Sequence, residues 1–382
     1  MTTVRPGSHV HRLVEMLAYT GEIPMSAVSL FGNGRTWRRL ILKLTDVQEF
    51  RLPNANERIK CKLLVVRTVG RLKSVRFHKT GLAVLKQLSV ELYRYYMETF
   101  YHHQLPGDAS HIERNHRVAE AVLMCMKAGV ESRPLVLPKL QNRCVSCIVP
   151  ESPSFYLGKD LKKISAAELN KTMFSRVVGM ITVPGTCYAV YNSRSALMKW
   201  NGMGEFKTLH SLMEVARLNA GTHEIDSAIL FGSDVEVALR TIREAERNQR
   251  LEFRFDGIYR HIHFVPMNSF GEQLLMLLTT PDWNEKLLDL LFDPEVRSYN
   301  RGHFEYDAYV EGVYIYSHLD GDIARLIRFS QALQTQTGSF EVVCYHEQVK
   351  FLKAYLGDQV CFKVLDIEDV RNELFPERRG YF

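Results

Sequence analysis

The chain lacks several features that would fix its class. Its 382 residues include no run of about eighteen apolar residues, so we expect no transmembrane helix. Residues 1–7 lack the apolar core of a secretory signal, and seven cysteines form an odd, scattered set rather than a disulfide framework. These absences predict a cytoplasmic protein that has no membrane partner.

Signals for a bound nucleotide or metal are also missing. Gly202-Met203-Gly204 is not followed by the Lys-Ser/Thr pair of a Walker phosphate loop. Cys144 and Cys147 have half the spacing of a zinc knuckle, but no second Cys or His pair follows at a suitable distance, so two ordinary thiols in a loop are expected. We therefore expect no cofactor and no metal.

Histidines and tyrosines give no stronger signal for catalysis. His261 and His263 alternate on one predicted strand and point the same way, but no spacing supplies acidic partners, so a strand face with two partly buried histidines is the simpler interpretation. A tyrosine-dependent relaxase would need a cluster of metal-binding histidines. The 17 tyrosines lie near no such cluster, so we predict no catalytic residue.

Positive charge is concentrated at the start of the chain. Residues 1–90 hold 16 Lys and Arg against five Asp and Glu, a net charge of +11. The whole chain carries +6, so residues 91–382 carry −5. A clustered positive field is favourable beside a polyanion, because each neutralised phosphate releases counterions. The alternative interpretation is that these cations are merely solvated.

Residues 34–44 have the pattern of a DNA recognition helix. Trp37, Leu40, Ile41 and Leu44 recur at i, i+3, i+4 and i+7, which predicts a helix with one buried stripe. The rest of the helix is basic. The residues predicted to enter the major groove are Arg35, Thr36, Arg38, Arg39 and Lys43.

Flanking segments complete the pattern of a winged helix-turn-helix. A short amphipathic helix is predicted from Val10 to a stop at Thr20-Gly21, and a second helix over residues 24–31. Residues 59–66 and 72–77 form a predicted hairpin with Gly70 at its turn. The basic residues of this predicted wing, expected to contact phosphates, are Arg67, Arg71, Lys73 and Arg76.

Two domains are predicted. Residues 1–104 would form the winged helix-turn-helix and a connector helix over residues 82–103, which could also be the seam of a homodimer. Residues 105–382 would form an α/β domain. It begins with a helix over residues 110–128, followed by a capping box at 165–168 and a buried hairpin over 177–191 that turns at Pro184-Gly185. Strands then alternate with helices, among them a strand over residues 309–316 and a helix over residues 323–333, so the predicted class is α/β with a mixed sheet (α+β overall).

The order of these parts resembles the replication-relaxation proteins of bacterial plasmids and integrative conjugative elements, which are related to mobilisation proteins with a restriction-endonuclease-like fold. The segments that carry the resemblance, after the basic winged helix, are residues 114–120, 127–129, 155–157, 175–181 and 188–192. The resemblance implies a double-stranded DNA-binding protein that acts at an origin of replication or transfer, with relaxosome or replication proteins as partners. It also implies a nuclease-like core in the second domain.

The predicted strands that would correspond to the metal-binding strands of a nuclease lack carboxylates. A nuclease of this type needs an Asp at the end of one strand and a Glu-x-Lys on the next, which hold a divalent metal. Gly179 occupies the position of the Asp, and residues 190–192 contain no acid. Glu205-Phe206-Lys207 opens a predicted helix, where capping explains the Glu. We therefore expect a catalytically degenerate core.

Two other functions remain open at this point. One is a transcriptional regulator whose α/β domain senses a ligand or dimerises. The other is an active metal-dependent nuclease or relaxase, for which Glu205 would be the residue to test.

Overall fold

The structure is a computed structural model in which helices combine with several sheets, so the predicted α/β class is confirmed at this level. It describes residues 2–52, 58–100, 107–132, 150–164, 176–197, 200, 202–219, 221–222, 224–248, 250, 254–298 and 305–375. The chain divides into two compact units, residues 1–127 with 132–136, and residues 128–131 with 137–382. No described helix is both long enough and apolar enough to cross a membrane.

The described residues of the first unit form five α-helices and two small sheets. Its elements are β1 (Thr2–Thr3), α1 (His9–Thr20), β2 (Ile23–Pro24), a 3-10 helix (Met25–Phe31), α2 (Gly34–Leu44), β3 (Gln48–Arg51), β4 (Ile59–Cys61), β5 (Leu64–Val69), β6 (Leu72–Phe77), α3 (Leu82–Leu88), α4 (Val90–Thr99) and α5 (Ala109–Lys127). One sheet has the strand order β1-β3-β4 and the other β2-β6-β5. The predicted first helix and α2 are confirmed, whereas the second predicted helix is a 3-10 helix.

Two long predicted elements of this unit are interrupted. The helix predicted over residues 82–103 breaks at Ser89, whose backbone is extended (φ −155°, ψ 114°) and whose side-chain hydroxyl caps α4 by accepting the Leu92 N–H at 3.2 Å. The strand predicted over residues 59–66 divides into β4, which pairs with β3, and β5, which pairs with β6. The predicted domain boundary after residue 104 is too early, because α5 packs on α1 and β2 within the first unit.

The second unit contains a six-stranded and a four-stranded sheet with helices between the strands. Its elements are β7 (Glu131–Ser132), β8 (Ser154–Leu157), α6 (Gly158–Ile164), β9 (Gly179–Val183), β10 (Thr186–Arg194), α7 (Gly202–Asn219), β11 (Ser227–Gly232), α8 (Val235–Arg247), β12 (His261–Pro266), α9 (Ser269–Leu278), α10 (Trp283–Leu291), β13 (Ala308–Val310), β14 (Val313–Ser317), α11 (Ile323–Leu333), β15 (Ser339–Tyr345), α12 (Val349–Leu356), β16 (Cys361–Leu365) and α13 (Ile367–Leu374).

Both sheets are mixed. The first has the order β12-β11-β10-β9-β8-β7, with β10, β11 and β12 parallel and β9 antiparallel to its neighbours. The second has the order β13-β14-β15-β16, in which only β13 is antiparallel. The loop between β14 and α11 runs beside β12, where the Phe264 N–H donates to the Gly321 carbonyl at 2.9 Å. This contact brings residues 318–322 close to the start of β12.

The predicted hairpin over residues 177–191 is confirmed as β9 and β10, joined by Pro184 and Gly185. The strand predicted over residues 309–316 is instead a second hairpin. Glu311 (φ 50°) and Gly312 (φ 86°) form its two-residue turn, a conformation that needs positive φ at both positions. Cys144, Cys147 and the capping box predicted at 165–168 lie outside the described residues.

Candidate functional site

The surface of α2 has the composition expected of a nucleic-acid interface. Trp37, Ile41 and Leu44 are buried, and the Trp37 ring stacks on Phe31 with centroids 4.5 Å apart. Asn33 is the N-cap of the helix, because its side-chain oxygen accepts the backbone N–H groups of Arg35 and Thr36 at 3.1 and 3.2 Å. The opposite face is exposed and carries all five predicted contact residues: Arg35, Thr36, Arg38, Arg39 and Lys43.

The β5–β6 hairpin exposes two of its four basic residues. Val69 pairs with Leu72 across a two-residue turn in which Gly70 has φ 56°. Arg71 and Lys73 are exposed beside this turn. Arg67 is half-buried and donates to the Gly107 carbonyl at 3.3 Å. The hairpin therefore offers Arg71 and Lys73 to solvent.

The prediction that Arg76 contacts phosphate is wrong for this structure. Arg76 is 9% exposed, and its guanidinium binds Glu22, which is fully buried, with N–O distances of 2.8 and 2.9 Å. Asn115 donates to the other Glu22 oxygen at 3.3 Å. The cause is the position of β6, which is the middle strand of its sheet and packs against α5 as well. Arg76 therefore serves the interior of the first unit.

The positions at which a nuclease would need carboxylates are filled by packed side chains or engaged in hydrogen bonds. A Cβ on Gly179 would lie 2.3 Å from the Phe155 ring and 2.5 Å from the Tyr156 carbonyl oxygen, so no larger residue fits there. Glu205 is fully buried in the first turn of α7, where it accepts from the Tyr191 hydroxyl at 2.8 Å. Within the described ranges, no three His, Cys, Asp or Glu side chains are grouped so that they could hold a metal.

Two histidines of β12 line a cavity of about 280 Å³ in the second unit. His261 Nδ1 lies 2.7 Å from Asp322 Oδ2, and His263 Nδ1 lies 3.0 Å from the Asp320 carbonyl oxygen. Because both partners are acceptors, each Nδ1 carries the hydrogen, and Nε2 keeps the lone pair when the ring is neutral. The two rings are nearly parallel, with centroids 6.4 Å apart.

Asp322 fixes the position of His261. It is fully buried and is the N-cap of α11, accepting the backbone N–H groups of Ala324 and Arg325 at 2.9 and 3.1 Å. Burial opposes ionisation of this carboxyl, but the hydrogen bond from His261 and the nearby cations hold its pKa well below its usual range. Asp322 is therefore an anion.

The guanidinium of Arg325 contacts the three other buried acids beside the cavity. Its guanidinium contacts Asp307 at 2.8 Å, Glu305 at 3.2 Å and Asp320 at 3.9 Å. Glu305 also binds Arg328 at 2.9 Å. Burial would raise the pKa of Glu305, but the two arginines hold it below its usual value. The charges of Arg325, Glu305 and Asp307 are thus paired, as low-dielectric surroundings require, whereas burial raises the pKa of the Asp320 carboxyl.

Sequence patterns located the histidines of this site but not its acids. The two histidines lie on one strand as predicted, but only His261 is half-buried, whereas His263 is buried at 2% exposure. Asp320 and Asp322 are about 60 residues away in sequence. The available signal was an Asp directly before the helix predicted over residues 323–333, which is an N-cap position.

Comparisons of the chain with protein-family models, with curated proteins and with solved structures gave no match.

A buried histidine next to this cluster should make stability depend on pH. Burial lowers the pKa of His318 from 6.5 to about 3, so between these values the unfolded chain binds a proton that the folded chain does not. The free energy of unfolding therefore falls as pH decreases through this window. For His318 alone it should be about 2 kcal/mol lower at pH 5 than at pH 7.5. We expect His318→Gln to reduce the loss of unfolding free energy between pH 7.5 and pH 5, measured in urea.

The exposed His346 supplies the control for this experiment. His346→Gln should keep the wild-type dependence on pH. Equal losses in wild type and His318→Gln would show that His318 does not carry the effect.

Proposed function

We propose that the first unit is a winged helix-turn-helix domain that binds double-stranded DNA with sequence specificity. The observation that carries this proposal is α2, where five polar or basic residues are exposed on one face and a tryptophan anchors the other. The topology supports it, because β2, which lies between α1 and α2, pairs with β6 in the sheet β2-β6-β5. The helix would enter the major groove, and the hairpin would be the wing.

The charge distribution supports the same surface. Of the residues predicted to contact DNA, seven are exposed and available to it: Arg35, Thr36, Arg38, Arg39, Lys43, Arg71 and Lys73. Six of these seven side chains are cationic, which is within the number of phosphate contacts that DNA-binding proteins commonly make, about 6–10.

We place this DNA on a bacterial plasmid or conjugative element, where the protein would act in replication or transfer, as the resemblance implies. The second unit would then be a restriction-endonuclease-like core that no longer cleaves. Its support is local: the Gly179 position has no room for a carboxylate, and Glu205 is engaged in a buried hydrogen bond with Tyr191.

Fluorescence anisotropy with DNA from the protein's own element tests this function. Arg38→Ala/Arg39→Ala should bind at least about tenfold more weakly than wild type, because each base or phosphate contact contributes about 1–3 kcal/mol. The plot of log affinity against log salt should become shallower by about one to two units.

Two exposed arginines on a helix of the second unit provide the matched control. Arg243→Ala/Arg247→Ala removes the same charge from α8 and should leave affinity unchanged. If both double variants weaken binding equally, the effect is one of net charge and α2 is not the recognition helix. If neither changes it, the DNA-binding surface lies elsewhere.

A further inference from the structure

The cavity of the second unit has the form of a small ligand site. It lies between the β9–β10 turn, the first residues of β11 and β12, and the start of α10, and one side is formed by the rings of Tyr188 and Trp283. Its volume of about 280 Å³ is near the lower end of the range for ligand pockets, about 300 Å³. A compact molecule with one ring would fill it.

Two hydrogen-bond acceptors of the lining have no partner among the described residues. They are the Nε2 atoms of His261 and His263, whose Nδ1 atoms are already bound to Asp322 and to the Asp320 carbonyl. His263 is only 2% exposed and lines the cavity, so its ring lies in the cavity wall rather than in bulk solvent. A donor in the cavity could therefore bind this acceptor.

Most strong donors of the lining are already engaged. The Tyr188 hydroxyl donates to the Leu278 carbonyl at 2.9 Å, and Trp283 Nε1 donates to the Tyr188 oxygen at 2.8 Å. The Ser227 hydroxyl donates to Asp226 at 2.7 Å. The Arg325 guanidinium faces carboxylates, as described above. The cavity therefore presents acceptors to a ligand more than donors.

The rim of the cavity is acidic. Asp282 and Glu285, at the start of α10, are exposed members of the lining, and Asp282 has a left-handed backbone conformation (φ 56°, ψ 28°). Non-glycine residues adopt this conformation at a cost, and such positions occur often at binding sites. Two carboxylates at the entrance attract a cation and repel an anion.

From these observations we propose that the cavity binds a small organic cation whose N–H groups donate to the two histidines and whose ring packs against the side formed by Tyr188 and Trp283. An organic cation fits better than a metal ion, because no three metal-ligating side chains are grouped in the described part of the chain. Aromatic walls also favour a flat cation through stacking and cation–π attraction. This proposal does not depend on DNA binding by the first unit.

Isothermal titration of the full-length protein with benzamidine, benzamide and benzoate tests the proposal. These probes share a ring and differ in charge. Benzamidine should bind at least tenfold more tightly than neutral benzamide, because hydrogen bonds to charged groups are stronger, and benzoate should not bind. Equal affinity for all three, tighter binding of benzoate, or no binding of any probe would overturn the proposal.

Variants distinguish the cavity from other sites on the surface. Glu285→Gln, an exposed change that should leave the fold intact, and His263→Gln should each weaken benzamidine binding about tenfold, whereas the exposed His346→Gln should not. Unchanged affinity in both cavity variants would locate the probe elsewhere. Zinc titration adds a further test. Zn²⁺ binding that His261→Gln abolishes, without benzamidine binding, would assign a metal instead.

Discussion

Replacing Arg325 with methionine should lower the free energy of unfolding of the second unit by about 3–5 kcal/mol. Methionine keeps much of the side-chain volume but removes the charge that faces Glu305, Asp307 and Asp320. All three acids are less than 10% exposed, so water cannot replace the guanidinium. The loss should appear in urea unfolding and as faster hydrogen exchange in peptides from α11 and β14.

Two comparisons separate the loss of charge from the loss of packing. Arg243→Met, on the exposed face of α8, should change stability by less than about 0.5 kcal/mol. Adding Asp307→Asn to Arg325→Met should recover part of the loss, because one uncompensated anion is removed. A cost below about 1 kcal/mol for Arg325→Met would show that the acids are not held as anions by this residue.

Local patterns in the sequence were sufficient for α2 and its surroundings. The period of Trp37, Ile41 and Leu44 identified the buried stripe, and the predicted span of residues 34–44 is the span observed. Gly21 predicts the end of a helix and Gly185 predicts a turn, and both residues have the positive φ that favours glycine. These features depend on neighbours within a few residues, which is the range over which sequence patterns are informative.

Features that depend on distant residues were not predictable in this way. The partners of His261 and His263 lie in the loop before α11, and only the course of the chain brings them to β12. The sequence does not predict the turn between β13 and β14, because Glu311-Gly312 is not one of the strongest turn dipeptides, which are Asn-Gly and Asp-Gly. Arg76 and Lys73 are three residues apart on β6 and therefore lie on opposite faces of the strand, and Arg76 stands between the buried Val75 and Phe77 whereas Lys73 is exposed near the turn.

Because of this contrast, substitution by methionine should reduce stability at Arg76 and DNA affinity at Lys73. Arg76→Met should destabilise the first unit by about 3–5 kcal/mol, because it leaves the buried Glu22 carboxylate with Asn115 as its remaining described side-chain donor. In the full chain, backbone amides of α1 and β6 whose exchange requires opening of the unit should exchange about 100-fold faster or more. The amides of the second unit serve as an internal reference.

Lys73→Met is the matched control, three residues away on the same strand and exposed. It should leave hydrogen exchange nearly unchanged and, if the hairpin is the wing proposed above, weaken DNA binding with a shallower salt dependence through the loss of one phosphate contact. If Arg76→Met instead left exchange unchanged and reduced DNA affinity, Arg76 would belong to the wing surface and the pairing with Glu22 would not hold in solution. The two substitutions together therefore test which basic residues of the hairpin stabilise the first unit and which are available to DNA.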